Sequence, residues 1–195
     1  WKLIWNVLDD EYTMPQEEFY GNDVDASAWD DITVPGCLEM QGYGTPYYIN
    51  VDYAFADNPP YIAMKNGMKN SVGSYRRDFT LPDGWDNERI LLHFDGIYSA
   101  AYVWVNGNYV GYTEGGNMDA EFDISKHVRT GNNNLSVRVI RWTDGSYLEG
   151  QDMWHMSGIH RDVYLFATPK VHVVDHYITS TLDAASGYTA GSMNV

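Results

Sequence analysis

The sequence has 195 residues and a formal net charge of −15, a length that fits one domain, or one domain and part of another. The negative charge repels phosphate groups, so nucleic acids and anionic membranes are not expected as partners. Cys37 is the single cysteine, which excludes an internal disulfide and a zinc site built from several cysteines.

The first predicted elements are a strand and a long irregular stretch. WKLIW at residues 1–5 alternates apolar and polar residues, as a strand does. The chain begins at Trp1 without an initiator methionine, and we interpret it as a segment of a longer protein. Residues 9–30 predict an irregular acidic surface segment. Residues 32–61 contain four prolines, which cannot donate to a central ladder, so we predict an extended loop that wraps a core.

Strand patterns become frequent from Gly73 onward. SYRRDFTLP, RILLHFDG, AEFDIS, NNLSVRVIRW and HRDVYLFAT each predict a strand. In the fourth of these, three residues are predicted to share one face: Leu135, Val137 and Val139. Short, closely spaced strands with few helix signals predict an all-β sandwich or jelly roll.

Two connections between these strands have their own signals. SAAYVWV and NYVGYTEG flank Asn106-Gly107, a dipeptide that supplies the positive φ angles of a tight hairpin. SKHVRTGNN offers Ser125 as a cap and Gly131 as a stop, which predicts one short turn of helix.

Pro169 marks a predicted domain boundary. After it, VHVVDHYITSTL resembles a strand, DAASGYTAG a turn, and SMNV ends abruptly. We therefore predict that residues 169–195 begin a second β domain. No apolar run is long enough to span a bilayer, so we expect a soluble protein, while its compartment, cytoplasmic or periplasmic, stays open.

The stretch from Gly145 to Val163 concentrates aromatic and ionisable residues in one connection. Its carboxylates and imidazoles, with the residue before it, are Asp144, Glu149, Asp152, Asp162, His155 and His160. Two carboxylates can divide acid and base roles in glycoside cleavage if they are suitably separated. The alternative is that they bond to backbone N–H groups and to Arg141 or Arg161. Because sequence spacing fixes no such geometry, we predict neither a catalytic pair nor a complete metal site here.

Two tryptophans raise the question of ligand contact. Trp104 lies in YVWV, which is apolar on both faces, and is predicted to be a core residue. Trp154 lies in the acidic loop, where contact with a sugar or a partner and simple packing are both open.

The succession of motifs resembles a known family. RWTDGSYLEGQDMWHMSGIHRDVYL is similar to the amino-terminal, sugar-binding domain of glycoside hydrolase family 2, in particular of the large bacterial β-galactosidases. VPGCLEMQGYGTPYYINVDYAFADNPP, GSYRRDFTLP, FDGIYSAAYVWVNGNYVGYTEG and AEFDIS precede it in the family's order. The resemblance implies a jelly-roll β-sandwich over residues 1–168. It also implies that residues 169–195 are the first strands of an incomplete immunoglobulin-like β-sandwich domain.

The resemblance also implies which residues meet the substrate. The family's catalytic glutamates lie on a later (β/α)₈ barrel, so no glutamate of this chain inherits a catalytic role. Asp152, the Asp of QDMW, would reach the galactose and give one oxygen to a sodium ion completed by the barrel. Tyr98 stands where the family's FDGVNSA turn has a sugar-contacting Asn, a departure that leaves this second contact open. The residues implied to anchor the loop of Asp152 are Trp154, Met156, Ile159 and Arg161.

By this resemblance, the expected function is that of a non-catalytic substrate-pocket domain in a retaining β-galactosidase, and the isolated fragment is expected to be inactive. It needs no cofactor of its own, while sodium and magnesium are expected in the intact enzyme. Expected partners are a terminal β-galactoside, the remaining immunoglobulin-like domains and barrel of the same polypeptide, and identical chains in a homo-oligomer. Two alternatives stay open: the same role in a β-glucuronidase or β-mannosidase, and an independent carbohydrate-binding module.

Overall fold

The computed structural model describes residues 1–9, 13–15 and 18–195. Over these residues, the strands in chain order are β1 (Lys2–Val7), β2 (Asp30–Asp31), β3 (Tyr47–Ile49), β4 (Ser71–Thr80), β5 (Arg89–Phe94), β6 (Ile97–Tyr98), β7 (Ala100–Val105), β8 (Asn108–Glu114), β9 (Ala120–Asp123), β10 (Asn132–Ile140), β11 (Met153–His155), β12 (Gly158–Ile159), β13 (Val163–Thr168), β14 (Thr179–Leu182) and β15 (Gly191–Asn194). Short 3-10 helices span Glu39–Gln41, Asp144–Tyr147 and Ala184–Ser186. None of these helices is long and apolar enough to cross a membrane.

Antiparallel pairing of the strands builds two layers. One sheet has the order β2-β1-β4-β10-β7-β8, and the other has the order β13-β5-β9. The main hydrophobic core draws on strands of both sheets. Among its fully buried side chains are Tyr75, Phe94, Leu3, Leu38 and Leu92. The predicted all-β jelly-roll sandwich is confirmed.

The alternation predicted for β10 is confirmed, although its other face is covered as well. The residues predicted to share a face all belong to the main core: Leu135, Val137 and Val139. Ser136 on the opposite face is also buried. The segment predicted to be irregular covers part of this second face. Arg138 Nη1 donates a hydrogen bond to the Pro15 carbonyl of that segment at 3.1 Å. Residues 10–12, 16 and 17 of that segment lie outside the described residues.

The β7–β8 hairpin turns at the predicted dipeptide, with φ angles of 50° at Asn106 and 78° at Gly107. The prediction that Trp104 is a core residue was wrong. Val103 faces the main core, and the alternation of a strand places Trp104 on the opposite face. There it is half-buried and stacks on Tyr20, with ring centroids 4.9 Å apart.

The predicted short helical turn at Ser125 is present as a single turn: the backbone N–H groups of His127 and Val128 both donate to the Ile124 carbonyl, at 2.8 and 3.2 Å, and no helix follows. Ser125 Oγ accepts a hydrogen bond from the Ile90 backbone N–H at 2.8 Å and donates to Asp123 Oδ1 at 2.6 Å. The hydroxyl therefore links this turn to strands β5 and β9 instead of capping a helix.

A second, smaller core supports the antiparallel pair β3–β11. It is built from Ile49, Ala54, Phe55 and Trp142. His155 of β11 is completely buried and stacks on Trp142, with ring centroids 3.7 Å apart. Burial, and then the nearby charge of Arg141, lower the pKa of His155 to about 3. The imidazole is therefore neutral at neutral pH.

A buried ion pair joins the segments that flank β3 and β11. Arg141 Nε lies 3.3 Å from Glu39 Oε1, and Arg141 Nη2 donates to the Thr45 carbonyl just before β3. Ser157, just after β11, donates its backbone N–H to Glu39 Oε2 at 2.8 Å and its hydroxyl to Oε1 at 2.7 Å. The Glu39 carboxylate thus fixes the chain on both sides of the strand pair.

Burial of a neutral His155 predicts that the fold loses stability in acid. The pKa is depressed in the folded state, so the unfolded chain takes up the proton first, and stability falls as pH drops below about 6.5. Between pH 7 and pH 4.5 this group alone is expected to remove about 2–3 kcal/mol from the free energy of unfolding. Denaturant unfolding of His155→Phe should show a correspondingly flatter pH dependence. The exposed His176→Phe variant should keep the wild-type slope; an unchanged slope for His155→Phe would contradict the argument.

Glu39→Gln is predicted to destabilise the fold by about 3–5 kcal/mol, because it leaves the buried guanidinium of Arg141 without its counter-charge. Chemical denaturation at pH 7 measures the loss. Asp31→Ala is the matched control, since Asp31 pairs with Lys2 on the surface and exposed pairs contribute little. Equal effects of the two variants would show that burial of the pair at Glu39 does not matter.

Candidate functional site

Asp152 lies at the exposed tip of the connection between the 3-10 helix Asp144–Tyr147 and β11. Its φ angle is 55° and that of Gly150 is 83°, so the chain reverses tightly just before β11. A side chain at Gly150 would place its Cβ 3.1 Å from Tyr98 Oη. The turn therefore needs glycine there, and it projects Asp152 away from the core.

Tyr48 holds the carboxylate of Asp152. The register of β3 and β11 pairs Met153 with Ile49 and Trp154 with Tyr48, which brings residue 48 beside the turn. Tyr48 Oη donates to Asp152 Oδ1 at 2.8 Å. This bond is the largest cause of a raised pKa at Tyr48. Sequence reasoning missed Tyr48, because its three-residue strand lies inside the proline-rich stretch predicted as loop.

The end of β8 fixes the other side of the turn. Glu149 Oε1 accepts from the Gly116 backbone N–H at 2.8 Å, and Glu114 Oε1 accepts from the Gly145 N–H at 3.1 Å. Burial raises the pKa of Glu149, the Gly116 bond opposes this, and the neighbouring Glu114 charge adds to it. Glu149 thus bonds to a backbone N–H group, which is the structural role considered from the sequence for the loop carboxylates, and Glu114 of β8 forms a bond of the same kind.

The ionisable residues of the loop lie in different environments. Asp152 is exposed, Glu149 is half-buried and His155 is sealed in the second core. Arg141 pairs with Glu39 and not with a loop carboxylate. Over residues 1–9, 13–15 and 18–195, no group of three His, Cys, Asp or Glu side chains could hold a metal ion. Asp152 could contribute at most a part of a cation site from this chain.

Tyr98 lies beneath the turn that carries Asp152 and not at its exposed edge. It is 4% exposed, and its ring meets His155 edge-on with centroids 4.5 Å apart. Burial raises the pKa of its hydroxyl. Its predicted contact with a sugar stays a prediction, and Tyr98 also lines a small pocket of about 120 Å³ with Met153 and Trp154.

The four residues expected to anchor the loop differ in their surroundings. Ile159 is fully buried in the main core, Met156 is half-buried, and Arg161 Nη1 lies 3.2 Å from the carbonyls of Asp95 and Asn117. Trp154 is 56% exposed and meets Tyr48 edge-on, with centroids 5.4 Å apart. Trp154 therefore frames Asp152 at the surface and is not packed into the sandwich.

A cleft of about 370 Å³ opens beside the turn, between the chain after β3 and the segment that precedes Asp152. Asn50, Glu149 and Gln151 line it with polar groups. Val51 and Leu148 are 94% and 92% exposed at its edge. The edge of the domain near Asp152 therefore combines polar groups with uncovered apolar side chains.

Curated relatives match almost the whole chain. It is 48% identical over 173 residues to a β-galactosidase of Psychromonas ingrahamii, covering 89% of this chain and 16% of that protein. It is 46% identical to a β-galactosidase of Photobacterium profundum over all of this chain and 18% of the relative. The chain thus spans less than a fifth of the length of these enzymes.

Solved structures share the fold. A β-glucuronidase of Bacteroides uniformis matches with a TM-score of 0.60 and 27% identity over 85% of this chain and 17% of that one. A β-glycosidase of Bacteroides vulgatus matches with a TM-score of 0.61 over 92% of this chain and 21% of that one. At 20% identity, the second comparison supports the fold alone.

The family comparison covers the sandwich. The family described as "Glycosyl hydrolases family 2, sugar binding domain" matches residues 1–169, which include both sheets and the turn of Asp152. The ordered motifs, the β-sandwich and this match agree, and the chain belongs to the sugar-binding domain family of glycoside hydrolase family 2.

Proposed function

We propose that this chain forms one wall of the substrate pocket of a retaining β-galactosidase and that the groups that cleave the bond lie on the remainder of the polypeptide. The observation that carries this proposal is Asp152, an exposed carboxylate held at a fixed position by Tyr48. The similarity to β-galactosidases, of which the chain spans only 16% and 18% of the length in the two reported cases, supports the division of labour.

The exposed carboxylate of Asp152 is chemically suited to binding a sugar. Its oxygens accept hydrogen bonds from hydroxyl groups, and its charge strengthens those bonds. The same group can give one oxygen to a sodium ion, which needs several oxygen ligands. No group of three His, Cys, Asp or Glu side chains among the described residues could hold a metal ion, and we propose that further ligands of such a sodium site lie on later domains. A magnesium site and a homo-oligomer are proposed for the intact enzyme from the family resemblance alone.

The uncovered edge beside Asp152 supports contact with later parts of the polypeptide. Val51 and Leu148 flank the cleft and are almost fully exposed. Apolar side chains that protrude beside a polar cleft are typical of surfaces that another domain covers. We propose that the remaining pocket walls, including the (β/α)₈ barrel with paired glutamates that the family resemblance implies, lie against this edge.

Residues 169–195 are proposed to begin an immunoglobulin-like domain. The family match ends at residue 169, and β14 and β15 pair with each other in a sheet of two strands. Val171, Tyr177 and Leu182 are 93%, 82% and 69% exposed. Such residues need a core, which later strands of the same domain would supply.

A β-glucuronidase is the second candidate, because solved β-glucuronidases share the fold. The higher identity to β-galactosidases favours the first candidate. A panel of aryl β-glycosides with the intact enzyme separates them, and we expect the galactoside to have the highest kcat/KM. A preference for the glucuronide would select the alternative, while tight galactose binding by the 195-residue chain alone would favour an independent carbohydrate-binding module.

Asp152→Asn in the intact enzyme is predicted to lower kcat/KM for aryl β-galactosides by about 10- to 100-fold. The variant replaces a charged acceptor with an amide, and hydrogen bonds to charged groups contribute about 1.5–3 kcal/mol. Asp162→Asn is the matched control, since Asp162 is an exposed carboxylate between β12 and β13, and it should retain wild-type kinetics. Unchanged hydrolysis by Asp152→Asn would reject the role of Asp152, and turnover by the 195-residue chain alone would reject the division of labour.

A further inference from the structure

We propose that Tyr48 is the positioning residue for Asp152: its hydroxyl fixes the carboxylate so that Oδ2 is presented to the sugar. This inference rests on the proposed function and adds a residue to it. It starts from the 2.8 Å bond from Tyr48 Oη to Asp152 Oδ1. Oδ2 of Asp152 is left without a hydrogen-bond partner among the residues that the structure describes.

The position of the Tyr48 phenol is itself fixed on two sides. Its backbone is paired with Trp154 across β3 and β11, and its ring meets the Trp154 ring edge-on. Its neighbours Tyr47 and Ile49 belong to or pack against the second core. A short strand anchored in this way holds the phenol more firmly than a surface loop would.

The backbone of Asp152 needs such a support. A positive φ at a non-glycine residue is unusual, although Asp tolerates it better than most residues. Without Tyr48, an exposed carboxylate on such a turn would sample several rotamers. A sugar would then have to order it on binding, which lowers affinity and the fraction of productive complexes. The hydrogen bond removes that cost before the substrate arrives.

The Tyr48 phenol has one hydroxyl hydrogen, and it uses that hydrogen to donate a hydrogen bond to Asp152. Tyr48 can therefore accept a bond from a sugar hydroxyl but cannot donate one while it holds the carboxylate. A direct substrate contact by Tyr48 would act independently of Asp152, whereas a positioning role acts only through it. This difference can be measured.

The test is a double-mutant cycle in the intact enzyme with Tyr48→Phe, Asp152→Ala and the double variant, because alanine removes the acceptor of the Tyr48 bond. Tyr48→Phe keeps the ring and its contact with Trp154 but removes the hydroxyl. We expect it to lower kcat/KM for an aryl β-galactoside by about 3- to 10-fold, in the range of one hydrogen bond. In the Asp152→Ala background, which has no acceptor for the Tyr48 hydroxyl, the same change should have no further effect. Tyr61→Phe, an exposed tyrosine, is the matched control and should behave as wild type.

Independent, multiplicative losses in the two single variants would overturn the positioning role while leaving the proposed function intact. If Asp152→Asn alone had no effect, the proposed function itself would fail. The two failures are therefore distinguishable.

A readout independent of activity uses 3-fluorotyrosine at position 48 and ¹⁹F NMR. The phenol that donates to Asp152 should have a higher pKa in the wild type than in Asp152→Asn, because the hydrogen bond and the carboxylate charge both favour its protonated form. Asp162→Asn should leave the titration unchanged. An identical titration in the wild type and Asp152→Asn would overturn the proposal even if Tyr48→Phe failed to fold.

Discussion

The antiparallel pairing of β3 with β11 is the constraint on which the candidate site depends. It joins two three-residue strands and brings Tyr48 to within one hydrogen bond of Asp152, 104 positions later in the sequence. So short a pair is not stable by itself. It persists because the second core and the stacked His155 support it from beneath. The Glu39–Arg141 pair joins the segments that flank it. Buried polar interactions therefore stabilise this part of the domain together with apolar packing.

Those buried polar groups hold the turn that carries Asp152 in its conformation. The neutral imidazole of His155 packs against Trp142, and because burial lowers its pKa in the folded state, acid weakens this support. The Glu39 carboxylate, shared by Arg141 and Ser157, fixes the chain beside it. Glu149 bonds to the Gly116 backbone N–H at the far side of the turn and is a third support. Together these groups explain how an exposed loop can present one carboxylate at a defined position.

The sequence allowed the sandwich to be predicted better than the site. Alternation in β10 and the Asn106-Gly107 turn are local signals, and both were confirmed. Trp104 was misassigned because an apolar run does not reveal which face of a sheet a second segment covers, and here Tyr20 covers the outer one. The turn at Ser125 remains a single turn, because the Ser125 hydroxyl bonds to strand β5 and does not cap a longer helix. Asp152 came from the family resemblance, whereas Tyr48 could not be found, because its role arises from a long-range pairing within a stretch that lacks a strand pattern.

The central claim is that Asp152 faces a sugar pocket completed by the rest of the polypeptide. A crystal structure of the intact protein with bound galactose tests it most directly. We expect a carboxylate oxygen of Asp152 to lie within hydrogen-bond distance of a galactose hydroxyl, with Tyr48 still bonded to the other oxygen and a later domain covering Val51 and Leu148. A galactose bound elsewhere, with Asp152 turned to bulk solvent, would contradict it.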